Sequence, residues 1–357
     1  RLKESLRPGD IVARLGGDEF TILLDELEDI EVALGIAGRI EESLKEPFAL
    51  AGRELFISAS IGIAINNGSY AQPEELLRDA DIAMYHAKAA GKARHQVFSQ
   101  AMHEHASSLL QLETELRRAL ERQEFCLFYQ PIVEIDGNRI SGFESLVRWQ
   151  HPLRGLVYPN EFISIAEETG LIVPLGEWVL RESCRQLRQW QLENPAFSEL
   201  TISVNLSCKQ FLQVDLTARV AEILRETRLA ARHLRLEITE SHVMEDSRAA
   251  IEIMNTLRAL GVKLSIDDFG TGYSSLSYLH RLPINYLKID RSFVSKMQSN
   301  RENGEIVRTI IMLAKNLGIE VVAEGIETTE QMEHLKNLSC RFGQGYYFSK
   351  PVSVLQA

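Results

Sequence analysis

Long apolar runs are missing from this 357-residue sequence. No stretch reaches the roughly 18 to 20 residues needed to cross a bilayer, so a membrane-spanning segment is not expected. Paired cysteines are missing too. Cys126, Cys184, Cys208 and Cys340 are scattered without CxxC spacing, which favours free thiols in a reducing compartment over a disulfide frame. The nine histidines show no HExxH spacing, so the usual helical zinc site is absent. Positive charge is short: 39 Lys and Arg face 50 Asp and Glu, a net charge of −11 that argues against binding a nucleic-acid polymer or an anionic membrane. A phosphate-bearing substrate would need metal ions or a local basic cluster. There is neither a signal peptide pattern nor a Met at Arg1, so an upstream segment is expected. What is present, 45% apolar and 25% charged residues, belongs to a globular chain of one large domain or two of moderate size.

The first hundred residues read as an α+β unit. Two apolar runs between Ile11 and Leu24 flank Arg14-Leu15-Gly16-Gly17-Asp18-Glu19, a hairpin with an acidic tip. A helix is expected over Ile30 to Leu44, a strand over Glu54 to Ile65, and a helix from Pro73 to Ala90, the unit ending near Phe98. From Ser107 to Glu121, Leu109, Leu112, Leu116, Ala119 and Leu120 make the narrow apolar stripe of a connecting helix. The domain boundary is placed near residue 105.

Beyond it, short apolar strands alternate with amphipathic helical stretches: Cys126 to Ile135, Gly142 to Val147, Thr201 to Leu206, Leu234 to Ile238, Val262 to Ile266, Tyr286 to Ile289, Glu320 to Ala323 and Arg341 to Gln344. Eight strands with helical crossovers point to an α/β fold, a (β/α)₈ TIM-like barrel. Glu144, Asn205, Glu237, Asp267, Lys288, Glu324 and Gln344 each fall at or just inside the C-terminal end of a different strand, the face where such barrels carry their chemistry. Adjacent carboxylates at Asp267 and Asp268 repel unless a cation or a shared proton compensates. Four carboxylates and a carboxamide form an all-oxygen set, suited to Mg²⁺ or Mn²⁺ more than to zinc. Asp268-Phe269-Gly270 matches the kinase metal triplet, but no HRD loop accompanies it. Gly270-Thr271-Gly272 lacks the third glycine of a dinucleotide fingerprint.

The motifs Glu144-Ser145-Leu146-Val147-Arg148-Trp149, Val204-Asn205-Leu206-Ser207, Leu236-Glu237-Ile238-Thr239-Glu240, Asp267-Asp268-Phe269-Gly270-Thr271-Gly272, Leu287-Lys288-Ile289-Asp290, Ala323-Glu324-Gly325-Ile326-Glu327 and Gly343-Gln344-Gly345-Tyr346 resemble, in order and spacing, the EAL family of cyclic di-GMP phosphodiesterases. The family's signature has Ala where this chain has Ser145, which leaves Glu144 in place. The resemblance implies hydrolysis of the bacterial second messenger cyclic di-GMP to linear pGpG with two divalent cations. Glu144, Asn205, Glu237 and Asp267 are implied to hold one ion, and Asp267, Asp268 and Glu324 the second. Lys288 is implied as a partner of the attacking water, either as a base with its pKa depressed by nearby cations or as an electrostatic anchor. Arg148 is implied to grip a phosphate, Gln130, Leu146 and Glu327 to line the substrate pocket, Gln344 to orient water or substrate, and Glu240 to steady the loop from Asp268 to Ser275. A homodimer and a cytoplasmic, bacterial setting are further expectations.

The first part resembles a GGDEF diguanylate cyclase domain through Gly16-Gly17-Asp18-Glu19-Phe20, with Lys88 and Lys92 matching the family's phosphate-contacting helix end and Arg7-Pro8-Gly9-Asp10 its RxxD product-inhibition site. The half of that family carrying a second metal-binding Asp and the guanine contacts does not occur in this chain. The portion is therefore expected to be regulatory or inactive as it stands, binding GTP or cyclic di-GMP; the alternatives are a sensor that binds cyclic di-GMP without cutting it, or a longer protein with both cyclase and phosphodiesterase activities. The domain scheme is a partial GGDEF domain over 1–105, a linker helix over 106–122 and an EAL domain over 123–357.

Overall fold

Residues Ile11–Gly16 (β1) and Glu19–Leu23 (β2) pair antiparallel across a turn at Gly17, whose φ of +53° suits a residue without a Cβ. The computed structural model describes residues 1–25, 27, 29–50, 53–68, 70–240, 247–270 and 279–357. Helix α1 (Ile30–Lys45) opens at Asp29, whose carboxylate accepts the Glu31 N–H at 3.4 Å, and its inward positions Ala33, Ile36, Ala37, Ile40 and Leu44 repeat with helical spacing. Strands β3 (Phe48–Leu50) and β4 (Arg53–Leu55) form a second small antiparallel pair, and β5 (Ile61–Ile63) runs parallel to β6 (His95–Val97) after α2 (Pro73–Ala89). The single strand expected over Glu54 to Ile65 is thus two. Among the described residues no strand pairs with its middle, and Phe56 and Ile57 are exposed there.

Helix α3 (Gln100–Glu121) begins earlier than the stripe from Ser107 suggests, and it buries Leu116 and Ala119. The chain divides within it into two units, Arg1–Gln111 and Leu112–Ala357. The side chain of Leu109 lies outside the described residues.

In the second unit, β7 (Phe125–Glu134) turns directly into β8 (Arg139–His151). After β9 (Gly155–Val157) come α4 (Pro159–Thr169), α5 (Ile172–Glu193), β10 (Thr201–Leu206), α6 (Leu216–Thr227), β11 (Leu234–Thr239), α7 (Ser247–Ala259), β12 (Lys263–Phe269), β13 (Tyr286–Ile289), α8 (Arg301–Leu317), β14 (Glu320–Ala323), α9 (Thr329–Asn337), β15 (Phe342–Gly343) and β16 (Val352–Ser353). Neighbour pairing runs β7-β15-β14-β13-β12-β11-β10-β8, and β8 pairs back to β7, closing an eight-stranded barrel. One feature departs from an all-parallel (β/α)₈ scheme: β7 is antiparallel to both β8 and β15. Only a short turn, with Asn138 at φ +44°, joins β7 to β8, and a parallel crossover needs a dozen or more residues.

The main core lies between barrel and helices, built from outward-facing strand residues such as Ile202, Val204, Leu236, Leu264 and Leu287. A smaller apolar plug of Ile132, Val322 and Phe342 fills part of the barrel interior. Among the described residues no helix is long and apolar enough to cross a membrane. The four cysteines are free, and burial pushes the Cys184 and Cys340 thiols up to about 12.

Candidate functional site

Alternation along parallel strands carries polar side chains to one end of the barrel. In register, Asn205 stands beside Glu237, and Thr239 beside Asp267, so strand neighbours deliver their inward residues at similar heights. Lys288, 1% exposed, gathers them: its Nζ lies 2.6 Å from Glu237 Oε2, 2.6 Å from Glu324 Oε1, 3.2 Å from Glu144 Oε2 and 3.3 Å from Asp267 Oδ1. Glu144 also accepts hydrogen bonds from Gln344 Nε2 at 2.8 Å and from Asn205 Nδ2 at 2.7 Å. Gln344 Nε2 reaches Gln130 Oε1 at 3.0 Å, and Gln130 donates onward to the Ser349 carbonyl at 3.1 Å. Gln344 therefore anchors Glu144 within the protein, beyond the water or substrate contact expected of it.

The charges are unevenly compensated. Burial disfavours ionised Glu237, the Lys288 ammonium opposes that, and the Glu144 and Asp267 carboxylates add to the rise, leaving its pKa at about 7. Glu324 is pushed well up by burial, with Asp267 and Glu144 adding to the rise and Lys288 opposing it. Glu144 is held below the usual range because Lys288, Gln344 and Asn205 together outweigh its burial. Burial would lower Lys288, but Asp267, Glu144, Glu237 and Glu324 outweigh it and raise its pKa far above the ordinary value. The depressed Lys288 expected of a base thus does not arise from the protein's own side chains, which hold it as an ammonium. One ammonium against four carboxylates leaves an acidic surplus.

Asp268 adds to that surplus. It sits at φ +54°, a left-handed conformation that a residue with a Cβ adopts at a cost, and its N–H donates to Asp267 Oδ1 at 3.0 Å. Burial and the Asp267 charge raise its pKa. Oxygens of Asp267, Asp268 and Glu324 lie within 4.8 Å of one another. An all-oxygen, over-acidic set at that spacing fits a hard divalent cation. Glu240 Oε2 accepts the Gly270 N–H at 3.1 Å. The remainder of the expected loop, from Thr271 on, lies outside the described residues.

An open cleft of about 250 Å³ lies over these groups, and Gln130, Leu146, Glu327 and Gln344 line it as expected positions. Arg148 does not line it. That guanidinium is buried, with Cζ 5.6 Å from the Phe128 ring and 5.1 Å from the Tyr158 ring, and Nη1 donates to the Val147 carbonyl at 2.8 Å. Arg291 and Tyr346, not expected from the sequence, also line the cleft. Arg291 Nη2 pairs with Glu327 Oε1 at 2.8 Å, and Gly325 at φ +69° lets Arg291 pass, since a Cβ there would run into it. Position offers a signal for Arg291: it directly follows the Lys288-Ile289-Asp290 run.

The Ser145 hydroxyl points away from the cluster. It donates to the Ser203 carbonyl at 2.9 Å and accepts from Ser183 Oγ of α5 at 2.9 Å. In the first unit, Asp18 and Glu19 are exposed at the hairpin tip, and Lys88 and Lys92 are exposed at the end of α2 and just past it. Asp10 Oδ2 accepts the Arg7 N–H at 2.8 Å, with Arg7 Nε 3.9 Å away.

The EAL domain profile matches residues 113–351, and the diguanylate cyclase GGDEF domain profile matches residues 1–94. The bifunctional diguanylate cyclase/cyclic di-GMP phosphodiesterase MucR of Pseudomonas aeruginosa is 43% identical over 356 residues, covering 100% of this chain and 52% of MucR. The cyclic di-GMP phosphodiesterase NbdA of the same organism is 42% identical over 354 residues, covering 99% of this chain and 45% of NbdA. The chain thus spans about half the length of these curated relatives. Among solved structures, the PaMucR phosphodiesterase in complex with c-di-GMP superposes with a TM-score of 0.67 at 46% identity, over 69% of this chain and 99% of that one. The FimX EAL domain from Pseudomonas aeruginosa, bound to c-di-GMP, gives 0.62 at 26% identity, over 68% and 96%.

Proposed function

The chain belongs to the EAL domain family, and from that premise we propose that it hydrolyses cyclic di-GMP to linear pGpG using divalent cations bound at the barrel mouth. The observation that carries the reading is the buried Lys288 ammonium shared by four carboxylates beneath an open cleft. Glu144, Asn205, Glu237 and Asp267 would hold one Mg²⁺ or Mn²⁺, and Asp267, Asp268 and Glu324 a second. Such ions, when bound, supply an acidified water and neutralise charge on the phosphoryl oxygens.

The chain's own groups do the rest. Gln344 and Asn205 fix both oxygens of Glu144, so that ligand enters the reaction already oriented. Lys288, which bridges Glu144, Glu237, Asp267 and Glu324, keeps the carboxylates together and, when charged, favours negative charge developing at phosphorus. Gln130, Leu146 and Glu327 would bound the nucleotide, and Arg148 would meet a phosphate after turning from its aromatic cage. Water oxygen bonds to phosphorus, the bond from phosphorus to the 3′ oxygen breaks, and that oxygen takes a proton.

The division into a GGDEF portion over 1–105, a linker over 106–122 and an EAL portion over 123–357 belongs to the same proposal. So do a regulatory first portion that binds GTP or cyclic di-GMP, a homodimer and a cytoplasmic setting. Purified protein incubated with cyclic di-GMP and Mn²⁺ or Mg²⁺, followed by chromatography, should yield pGpG. Tight binding without turnover would replace the enzyme reading with that of a sensor, and a monomer with full activity in sedimentation would remove the dimer.

A further inference from the structure

Two residues inward from the site, the barrel interior splits into two halves. One is the apolar plug of Ile132, Val322 and Phe342, with Tyr286 packed against it. The other is polar. Ser203 of β10 stands in register with Arg235 of β11, and Ser265 of β12 stands in register with Glu237. Both serines are 0% exposed, Arg235 and Glu237 1%. Five of their atoms, Ser203 Oγ, Ser265 Oγ, Arg235 Nε and Nη1, and Glu237 Oε1, have no hydrogen-bond partner among the described residues.

Arg235 is the unexpected member. Its Cζ lies 3.5 Å from the centroid of the Tyr286 ring, a stack that partly offsets the buried charge. A ring face takes none of the N–H groups at the guanidinium edge, so those donors still need acceptors. The set is complementary: guanidinium N–H groups donate, the Glu237 carboxylate oxygen accepts, and serine hydroxyls do either. Leaving all five atoms unmatched would cost far more than immobilising a bridging water.

We propose that these side chains cradle ordered interior water, and that through it Arg235 is a positioning residue for Glu237, fixing the carboxylate oxygen that Lys288 does not hold. The positioning role rests on the reading of Glu237 as a metal ligand; the water itself does not. A small anion fits the cradle less well, because the Glu237 carboxylate forms one of its walls.

The test uses the full chain with Ser265→Ala, Ser203→Ala, Arg235→Met and Arg235→Lys, read by thermal unfolding, Mn²⁺ titration calorimetry and a high-resolution crystal structure. The crystal should show ordered water within hydrogen-bond reach of Arg235, Glu237 and at least one serine. Ser265→Ala and Arg235→Met should lower Tm and weaken Mn²⁺ binding about tenfold, as losing a group that orients a ligand does. Arg235→Lys, which keeps a donor and the charge, should restore most of the affinity. If the five atoms are simply unmatched, the alanine and methionine variants remove a buried cost and Tm rises. A raised Tm, or a crystal with no ordered water there, overturns the proposal. Unchanged Mn²⁺ affinity in both variants overturns the positioning role, provided Glu237→Gln weakens Mn²⁺ binding. If Glu237→Gln leaves Mn²⁺ binding intact, the reading of Glu237 as a ligand is what has failed, and Tm and crystal still decide the water.

Discussion

Lys288 concentrates the consequences of burial at one atom. With that ammonium removed, four carboxylates lose their shared partner. Breaking a buried pair from one side costs about 3–5 kcal/mol, so Lys288→Met should lower metal-free stability by that order in urea unfolding. It should also reduce kcat for pGpG formation about 10²- to 10³-fold, the usual loss when a buried electrostatic stabiliser goes. A variant with wild-type turnover would remove Lys288 from the chemistry. Asp268 separates conformation from charge. Asp268→Asn keeps a residue that tolerates φ +54° and should unfold like the wild type while binding Mn²⁺ more weakly, whereas Asp268→Val should cost a further 1–2 kcal/mol or so. Urea midpoints and calorimetry distinguish the two. Ser145 sits on the outer side of its strand, bonded to Ser203 and Ser183, and Ser183 can still donate to the Val179 carbonyl at 2.7 Å. Ser145→Ala should therefore leave turnover unchanged and cost about 1 kcal/mol or less; a large loss of kcat would show that this helix-to-strand link reaches Glu144.

The elements that hold the site have their own dependence on pH. His233 lies in the turn before β11, 4% exposed, with Nδ1 3.1 Å from the Leu200 carbonyl before β10. Burial and the neighbouring Arg232 lower its pKa. The unfolded chain, with a His near 6.5, then binds the proton first as pH falls. Stability is complete above about 6.5 and declines below it towards the folded pKa, where unfolding takes up protons. Glu237 and Glu324, raised in the folded chain, act in the opposite direction and are common to both proteins, so between pH 7.5 and 5 the urea midpoint of the wild type should fall relative to that of His233→Asn, which keeps a donor at the Nδ1 position. Equal slopes would place the acid sensitivity elsewhere. Strands and strand ends were readable in the sequence because period two puts Asn205, Glu237 and Asp267 on the same face as the residues two before them, and polar residues on an inward face stand out. The antiparallel β7 was not readable from that period, which is blind to strand direction; the cue was the turn cluster Asp136-Gly137-Asn138. Arg235 was hidden for the opposite reason. Within Leu234-Arg235-Leu236-Glu237 the alternation sends Arg235 inward, where the Tyr286 ring stacks on it and partly offsets its charge, and that ring comes from another strand. Arg291 and Tyr346 follow strand ends, and whether such a residue turns over the mouth depends on backbone geometry that composition does not encode.

The two units differ in how much they bury. The second has one extensive core between barrel and helices, while the first centres on Ile36, Ile40 and Leu44 and leaves Ile11, Phe20, Leu23, Leu50, Leu55, Phe56 and Ile57 exposed. Apolar burial is the main favourable contribution to folding, so the smaller core should give way first. A chain with two independent cores is also not expected to unfold in one step. Calorimetry of the whole chain should therefore show two transitions, the lower from residues 1–111 and the upper from residues 112–357. The proposed metal ligands all lie in the second unit. Mn²⁺ at a hundredfold excess over its dissociation constant stabilises the binding unit by about 2.7 kcal/mol, which should move the upper transition and leave the lower one in place. GTP or cyclic di-GMP without metal should move the lower transition only if the first unit binds nucleotide as proposed. A single transition shifted as a whole by Mn²⁺ would mean that the two cores are coupled, and the first unit would then sense the state of the barrel through folding energy alone.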